Sequence, residues 1–293
     1  MQINLSLVLS KNAIHHVLWT FCLLYSILSS NTCFSQDLKL MTYNIRLDVA
    51  SDGENAWPNR KEFLANQVLF YDPDIIGFQE VLPNQLADLK TFLPVYTTVG
   101  LGRELDNQGE SSNIFYKANR FKMKDSGTFW LSESPDQVSR GWDAACNRVC
   151  TYTLLYDKLL KKSFWVFNTH LDHLGVQART KGIQLILDRI QKLNTKKLPV
   201  VLMGDFNMEP IDTSLQWVRL QMNDARDVSI TKPFGPFGTF NGFRHDEPVD
   251  KRIDYIFISK NTASKVQKYA VLSDAIDLKY PSDHLPVLVL LML

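Results

Sequence analysis

The sequence predicts an α/β fold in which two mixed β-sheets pack face to face, with helices on the outside. Strand-like segments first alternate with helical ones, then follow one another in hairpin-like runs, and then alternate with helices again. Two packed mixed sheets with outer helices account for this order. No Pro-, Gly-, Ser- or charge-rich run interrupts the segments, so residues 37–293 are expected to form one domain.

Each predicted element follows from its apolar pattern and its boundary residues. A β-rich composition predicts the first strand at 38–45, and apolar positions at helical spacing predict a helix at 58–71. A proline in the first turn begins a second helix at 83–92, and a longer amphipathic pattern predicts a third at 175–193. The remaining predicted strands are 74–79, 112–117, 121–131, 147–157, 163–169, 199–203, 252–258, 266–272 and 285–292.

Residues 1–36 differ from the rest of the chain and are expected to be a secretory signal peptide. Their one charged residue is Lys11, and Val17–Leu28 is an apolar run. That run is shorter than the roughly 20 residues that span a bilayer, and small polar residues follow it, as in a secretory signal. Cleavage after Gln36 would give a secreted or periplasmic protein without stable membrane insertion. A buried N-terminal helix is the alternative.

The charge balance argues against a general nucleic-acid binder. The chain has 32 Lys and Arg residues, of which Lys11 lies within residues 1–36, and 31 Asp and Glu residues, all beyond them. The chain without that segment therefore has no net charge. Proteins that bind nucleic acids tightly without sequence preference are usually strongly basic, because they neutralise phosphates. A nuclease with a local basic patch stays open but is not favoured.

Cys146 and Cys150 are expected to be free thiols. The residues around Cys150 alternate as in a strand, and four residues of strand span about 13 Å. A disulfide needs its two Cα atoms within roughly 7 Å. The pair also lacks the further cysteines that a structural zinc site would use.

Polar residues stand where several of the predicted apolar strands end. Such positions are typical of functional side chains, because a rigid scaffold holds them at a solvent-open cleft. Asp254 differs, since it is predicted inside a strand, where a buried carboxylate needs a partner. The segments at strand ends are Tyr43–Arg46, Phe78–Glu80, Asn168–His173, Gly204–Asn207 and Ser282–Pro286.

In this order the segments resemble the signatures of the deoxyribonuclease I-like endonuclease/exonuclease/phosphatase family. GDFN at 204–207, followed by RIDYIF at 252–257 and SDHLP at 282–286, is a specific combination. The resemblance extends from about Leu38 to Leu291. It implies a four-layer α/β sandwich and the hydrolysis of phosphoester bonds by an activated water molecule.

The resemblance also implies a metal site and a substrate contact. Asn44, Glu80 and Asp283 are the expected metal ligands. Their oxygen atoms suit a hard cation, so Mg²⁺ is expected and Mn²⁺ is the alternative. Arg179, in the first turn of the predicted helix at 175–193, either contacts a substrate phosphate or is a solvent-exposed helix residue.

Five further residues are implied in catalysis. Asp205 positions and deprotonates the attacking water, and Asn207 holds a phosphate oxygen or the nucleophile. His284 contacts the scissile phosphate, and Asp254 pairs with it, which fixes its tautomer. His170 donates to a non-bridging or leaving oxygen. Metal and donor groups of this kind spread the charge of the transition state in phosphoryl transfer.

The function expected from these residues is metal-dependent hydrolysis of a small or terminal phosphoester, either a diester or a monoester. The alternatives are an extracytoplasmic nuclease on DNA or RNA, a sphingomyelinase-like head-group phosphodiesterase, and a binding protein that lacks activity. No protein partner follows from the sequence. The loops that contain Arg103 and Glu110, and Trp142 and Asp143, either line the cleft or lie on the surface.

Overall fold

Twelve strands and four α-helices make up the computed structural model, which describes residues 37–260 and 263–293. The expected signal peptide lies outside these residues. The strands are β1 (Leu38–Asn44), β2 (Ile75–Gln79), β3 (Tyr96–Val99), β4 (Ile114–Lys117), β5 (Phe121–Trp130), β6 (Val149–Asp157), β7 (Lys162–His170), β8 (Val200–Asp205), β9 (Met222–Asp224), β10 (Asp254–Ser259), β11 (Lys265–Val271) and β12 (Val287–Met292). The helices are α1 (Trp57–Tyr71), α2 (Pro83–Phe92), α3 (Val176–Leu193) and α4 (Leu215–Gln221), with short 3₁₀ turns at Ala50–Asn55 and Leu105–Asn107.

The strands form two six-stranded sheets that mix parallel and antiparallel pairs. The first sheet has the order β11-β12-β1-β2-β4-β3, and the second has the order β5-β6-β7-β8-β10-β9. The pairs β1–β2 and β7–β8 are parallel, whereas β1–β12 and β8–β10 are antiparallel. The predicted arrangement of two mixed sheets is therefore confirmed.

Successive side chains along each strand point to opposite faces of the sheet, and they contribute to three apolar cores between four layers. In β1, Leu38 and Leu40 face the core between the sheets, and Met41 faces the core under α1 and α2. In β8, Met203 faces the core between the sheets, and Leu202 faces the core under α3. Side chains that alternate in this way bury both faces of each sheet, so the predicted four-layer sandwich is confirmed.

A buried polar network joins the two sheets behind the site. Asn168 of β7 donates through Nδ2 to Phe78 O at 2.8 Å and to Asn113 O at 2.9 Å. Gln79 Nε2 donates to Asn168 Oδ1 at 2.7 Å. The sheets approach closely here, because a Cβ atom on Gly77 would lie 2.7 Å from Asn168 Oδ1. These hydrogen bonds fix the positions of β2 and β7 relative to each other.

The predicted helices and strands agree with the structure except at short or irregular segments. The strands β3 and β9 and the helix α4 have three to seven residues each and were not predicted. Asp254 is the first residue of β10 rather than an interior residue, because Ile253 N and Asp254 N both donate to Thr239 Oγ1. Asp254 is nevertheless the register partner of Asp205 in β8.

Two further sequence expectations concern cysteines and membranes. Cys146 and Cys150 are free, as predicted, and Cys150 is buried in β6. Across the described part of the chain, no helix combines the length and the apolar character that a membrane span requires.

Candidate active site

The predicted site residues converge at one end of the two sheets. Asn44 and Gln79 are register partners at the C-terminal ends of the parallel strands β1 and β2, and Glu80 follows directly. His170 and Asp205 are register partners at the same ends of β7 and β8. The antiparallel strands β10 and β12 begin at this end, so Asp254, Asp283 and His284 arrive there from the opposite direction. The cleft-lining members of the predicted set are Glu80, His170, Asp205, Asn207, Asp283 and His284.

Asn44 lies beneath the cleft and joins two carboxylates. Its Nδ2 donates to Glu80 Oε1 and to Asp205 Oδ2, each at 2.9 Å, and its Oδ1 accepts from Arg46 N at 3.0 Å. The backbone N–H can only donate and the carboxylates can only accept, so these contacts fix the orientation of the amide. Asn44 therefore turns its nitrogen toward the carboxylates and positions them, and its expected role as a metal ligand stays a prediction.

Glu80 is held at the edge of the cleft by a left-handed backbone, with a φ of 61°. Its second oxygen, Oε2, accepts from Leu47 N at 2.9 Å. Such a backbone costs about 1 kcal/mol or more outside glycine and is concentrated at functional sites. Glu80 does not cap helix α2, because Leu82 N donates to Gln85 Oε1 at the start of that helix.

The GDFN segment turns sharply after β8 and presents Asp205 to the cleft. Gly204 has a φ of 144°, and a Cβ atom there would lie 1.9 Å from Thr169 O, so only glycine fits. Asp205 is 1% exposed, and its Oδ1 accepts from Asn207 N at 2.8 Å. Burial, reinforced by the charge of Asp254, raises the pKa of Asp205 to about 7. Its carboxylate therefore exchanges protons readily near neutral pH.

His284 and Asp254 form a buried pair beside Asp205. His284 Nδ1 donates to Asp254 Oδ2 at 2.9 Å, and His284 Nε2 lies 3.7 Å from Asp205 Oδ2. Burial alone would lower the pKa of His284, but the carboxylates of Asp254, Asp205 and Asp283 raise it well above its ordinary value. His284 is therefore a cationic donor whose Nε2 is directed toward the cleft.

His170 is neutral, and its hydrogen bonds fix its tautomer. Asn207 Nδ2 donates to Leu171 O and to His170 Nε2, each at 3.0 Å, so Nε2 accepts and the ring proton is on Nδ1. Burial lowers the pKa of His170, and the charge of Arg148 lowers it further. Its donor atom, Nδ1, lies 3.9 Å from Glu110 Oε2.

The carboxylates of the cleft fit a hard divalent cation. Burial raises the pKa of Asp283, and Glu80 adds to this shift, so a nearby cation would relieve the repulsion between these groups. Asp205, Asp254 and His284 also have ligand atoms within 4.8 Å of one another. His284 and Asp254 of that group form a hydrogen bond with each other, and the predicted ligands Glu80 and Asp283 both line the cleft. Oxygen ligands of this kind suit Mg²⁺ or Mn²⁺.

Two other predicted candidates lie away from the reacting groups. Arg179 does not line the cleft, and its Nη1 donates to Asp172 O at 3.1 Å. Asp143 accepts from Gln177 N and Ala178 N and therefore caps the start of α3. Arg103 and Glu110 do line the cleft. Of the two loops considered from the sequence, the one with Arg103 and Glu110 therefore lines the cleft, and Trp142 and Asp143 of the other do not.

Several residues of the site had no distinct sequence signal. Arg46, Arg148 and Lys251 line the cleft, whose volume is about 500 Å³. Arg60 is 4% exposed and donates to four backbone carbonyls beneath the site, three between β1 and α1 and one at Pro281. From the sequence alone, an arginine in the first turn of a helix is expected to be exposed to solvent. Its burial depends on loops that are distant along the chain.

Comparison with known proteins identifies the same fold and family. The model of the endonuclease/exonuclease/phosphatase family matches residues 41–284. An uncharacterized protein of Acanthamoeba polyphaga mimivirus is 29% identical over 255 residues, covering 80% of this chain and 91% of that protein. Human nocturnin is 25% identical over 281 residues, covering 85% of this chain but 63% of nocturnin.

A solved structure agrees over the same region. The mannosyl-6-phosphatase Bt3783 of Bacteroides thetaiotaomicron is 35% identical, with a TM-score of 0.83. The superposition covers 87% of this chain and 100% of that protein. The family match spans the residues that converge on the cleft, from Asn44 to His284. The chain therefore belongs to the endonuclease/exonuclease/phosphatase family of phosphoester hydrolases.

Proposed function

We propose that this protein hydrolyses a small or terminal phosphoester with a divalent cation, Mg²⁺ in the first instance. The observation that carries the proposal is the position of Asp205. Its carboxylate has a pKa of about 7 and lies between Asn44 on one side and two histidines on the other, 3.5 and 3.7 Å away. A base, two histidines and two further carboxylates in one cleft match the needs of phosphoryl transfer to water.

Asp205 is the proposed base for the attacking water. Asn44 donates to Oδ2 and the backbone of Asn207 donates to Oδ1, so the carboxylate cannot rotate away from the cleft. A base with a pKa near the working pH is the most effective at removing a proton from water during attack. Positioning of the nucleophile then supplies much of the rate.

His284 is the proposed donor to the phosphate. Asp254 accepts from Nδ1 at 2.9 Å, which orients the ring and favours the imidazolium form. Its Nε2–H then stabilises the negative charge that develops on a phosphate oxygen. Asn207 holds His170 in the tautomer with a proton on Nδ1. We propose that His170 donates to a non-bridging or leaving oxygen of the bound substrate.

Glu80 and Asp283 are the proposed ligands of the cation, which when bound would neutralise charge on the phosphate oxygens. The chain residues that prepare this position are Asn44, which bonds to Glu80 Oε1, and Leu47, whose N–H bonds to Oε2. Both contacts hold the carboxylate of Glu80 in one orientation before any cation binds.

A small or terminal substrate is favoured over an internal nucleic-acid site. The structural relative named as a mannosyl-6-phosphatase supports a small phosphorylated substrate for this chain. A cleft of about 500 Å³ is of the size that binds small molecules. The absence of net charge over residues 37–293 gives no general attraction to a polyanion.

We also propose that residues 1–36 are a signal peptide and that residues 37–293 are the exported catalytic domain. The support is the apolar run that lacks acidic residues. Expression of the full chain in bacteria, followed by N-terminal sequencing of the periplasmic fraction, tests this. An intact Met1 in a cytoplasmic product would contradict it.

The experiment for the main proposal is a substrate panel with residues 37–293. The panel contains p-nitrophenyl phosphate, bis(p-nitrophenyl) phosphate, sugar phosphates, nucleotides, sphingomyelin and nucleic acids. Activity on a small substrate should disappear in EDTA and return with Mg²⁺ or Mn²⁺. Undiminished activity in excess chelator would exclude the metal mechanism. Cleavage restricted to nucleic acids or to sphingomyelin would favour the corresponding alternative.

A further inference from the structure

One side of the cleft has charged residues that the proposed hydrolysis does not use. We call it the Arg103–Arg148 wall, and its members are Arg103, Glu110, Cys146, Arg148 and His173. His170 stands between the wall and the reacting groups. Its Nε2 lies 3.5 Å from Asp205 Oδ2, and its Nδ1 lies 3.9 Å from Glu110 Oε2. A group bound at the wall would therefore lie one side chain away from the phosphate.

Loop contacts hold the wall in one arrangement. Arg103 N donates to Glu110 O at 2.9 Å, and Trp130 Nε1 donates to Arg103 O at 2.8 Å. Asn147 Nδ2 donates to Glu104 Oε2 at 2.8 Å, which joins this loop to the segment that contains Arg148. A wall fixed in this way before binding loses little entropy when a ligand arrives.

A gap between Glu110 and Arg148 fits a hydroxyl group. Glu110 Oε1 is paired with Arg103 Nη2 at 2.6 Å, whereas Glu110 Oε2 lies 4.0 Å from Arg148 Nη1. At 4.0 Å a donor and an acceptor are too far apart to bond directly. A hydroxyl oxygen about 2.8 Å from each atom would bridge them, since it accepts from the guanidinium and donates to the carboxylate.

His173 supplies a second hydrogen-bonding atom with a fixed role. Arg148 Nη2 lies 3.0 Å from His173 Nδ1, and a guanidinium can only donate, so Nδ1 accepts. The neutral ring then has its proton on Nε2. His173 is exposed at the cleft, so this N–H is a donor at the same wall. The wall thus presents the Arg148 guanidinium and the His173 N–H as donors and the Glu110 carboxylate as an acceptor.

The charge of the wall favours hydroxyl groups over a second phosphate. Arg103 is paired with Glu110, and Arg148 Nε lies 3.4 Å from Asp172 Oδ2. Each guanidinium therefore already has a carboxylate partner, and a second phosphate would meet the carboxylate of Glu110.

Phe240 also lines the cleft, edge-on to His284 with 5.1 Å between ring centroids. Its ring offers an apolar surface to the C–H groups of a sugar.

We propose that the Arg103–Arg148 wall binds the hydroxyl-bearing part of the substrate, which is then a phosphoester of a sugar or a similar polyol. This inference rests on the proposed function of the cleft. Glu110 and Arg148 bind one hydroxyl between them, and His173 donates to a neighbouring one. The wall thereby selects substrates by their alcohol portion, whereas the catalytic residues act on the phosphate.

The test compares substrates that share a phosphate and differ in hydroxyl groups. Glucose 6-phosphate and mannose 6-phosphate have several hydroxyls, and the leaving group of p-nitrophenyl phosphate has none. The wild type should favour at least one sugar phosphate in kcat/KM. Glu110→Gln and Arg148→Lys should each lower the ratio of the sugar phosphate kcat/KM to the p-nitrophenyl phosphate kcat/KM by about tenfold or more. Arg189→Lys, on α3 and outside the cleft, is the matched control.

Other outcomes would overturn the inference in distinguishable ways. An unchanged ratio in both variants, with or without loss of overall activity, would mean that the wall only supports the structure. A strong preference for fructose 1,6-bisphosphate that both variants abolish would make the wall a phosphate subsite. Turnover of bis(p-nitrophenyl) phosphate without any turnover of sugar phosphates would remove this inference and leave the proposed function. No turnover of any substrate with Mg²⁺ would remove both.

Discussion

Single side chains in the cleft have roles that their hydrogen bonds restrict. Asn44 donates to Glu80 and Asp205, and its oxygen accepts from Arg46 N. His170 can only accept at Nε2, because Asn207 donates to it. The proposed base, Asp205, therefore lies beside two histidines whose pKa values shift in opposite directions.

Asp205→Asn tests the proposed base. An amide cannot take a proton from water, so kcat should fall by roughly 10²-fold or more. KM should change less, because the group acts in the transition state. Steady-state kinetics on a small phosphoester with Mg²⁺ measure both constants, and Asp246→Asn, in an exposed loop, is the control. A kcat equal to that of the wild type would assign the base to another residue.

Arg60→Lys tests a positioning residue beneath the site. The guanidinium of Arg60 donates to backbone carbonyls of Ile45, Arg46, Asn55 and Pro281. One ammonium group cannot reach all four carbonyls, so buried carbonyls lose partners at a cost of about 1–3 kcal/mol each. We expect a lower free energy of unfolding and a higher Mg²⁺ concentration for half-maximal activity.

The two effects of Arg60→Lys are measured separately, by urea denaturation and by Mg²⁺ titration of activity. Lys61→Met is the control, because Lys61 is the next residue of α1 and forms a half-exposed ion pair with Asp88. Loss of stability with an unchanged Mg²⁺ requirement would limit Arg60 to a structural role.

At the scale of elements, Asp172 joins β7 to helix α3. Its Oδ1 accepts from Leu174 N and Gly175 N, and its Oδ2 accepts from Ala145 N and Arg148 Nε. Burial alone would raise the pKa of Asp172, but these donors lower it to about 2. The carboxylate thus fixes the turn before α3 and the position of Arg148.

This shift predicts a pH dependence of stability. The pKa is lower in the folded state than the value of about 3.9 in the unfolded state, so the stabilisation is complete above that value. It is lost as the pH falls from about 4 toward 2. Between pH 6 and pH 3 the loss should be about 1 kcal/mol of unfolding free energy.

Urea denaturation of the wild type and of Asp172→Asn at both pH values isolates the contribution of Asp172. The difference in stability between the two proteins should shrink by that amount at pH 3. Asp136→Asn is the control, because Asp136 is 82% exposed in its ion pair with Arg189. A difference that stays constant with pH would show that Asp172 does not titrate in this range.

At the scale of the whole molecule, charge and cleft size support the proposed preference for small phosphoesters. Residues 37–293 have no net charge, and several of the cations in the cleft already have carboxylate partners. An enzyme that cuts duplex DNA must contact phosphates on both strands with cationic or donor groups. We therefore expect slow nicking of supercoiled plasmid relative to the hydrolysis of small phosphoesters.

Plasmid nicking followed on agarose gels and phosphate release from small substrates are compared at equal enzyme and Mg²⁺ concentrations. The comparison is repeated at low and high salt, because phosphate contacts weaken as salt rises. Efficient, salt-sensitive nicking with little turnover of small substrates would make the nuclease alternative the better one.

The sequence by itself determined the long elements, the fold class and six of the residues that line the cleft. Regular apolar patterns mark β1, β8 and α3, because the periods of strands and helices follow from local geometry. The motifs around Asp205 and His284 could be found because chemistry requires particular residue types at strand ends. Short elements such as β9 and α4 have too few residues for a period to emerge.

Only the tertiary structure decided how the residues act. The donor role of Asn44, the tautomer of His170 and the burial of Arg60 depend on partners that are distant along the chain. The Arg103–Arg148 wall combines two loops that the sequence describes equally well as surface segments. Arg179, by contrast, lies outside the cleft. Side-chain roles are fixed by three-dimensional hydrogen-bond partners and burial, and no local pattern of residues specifies these.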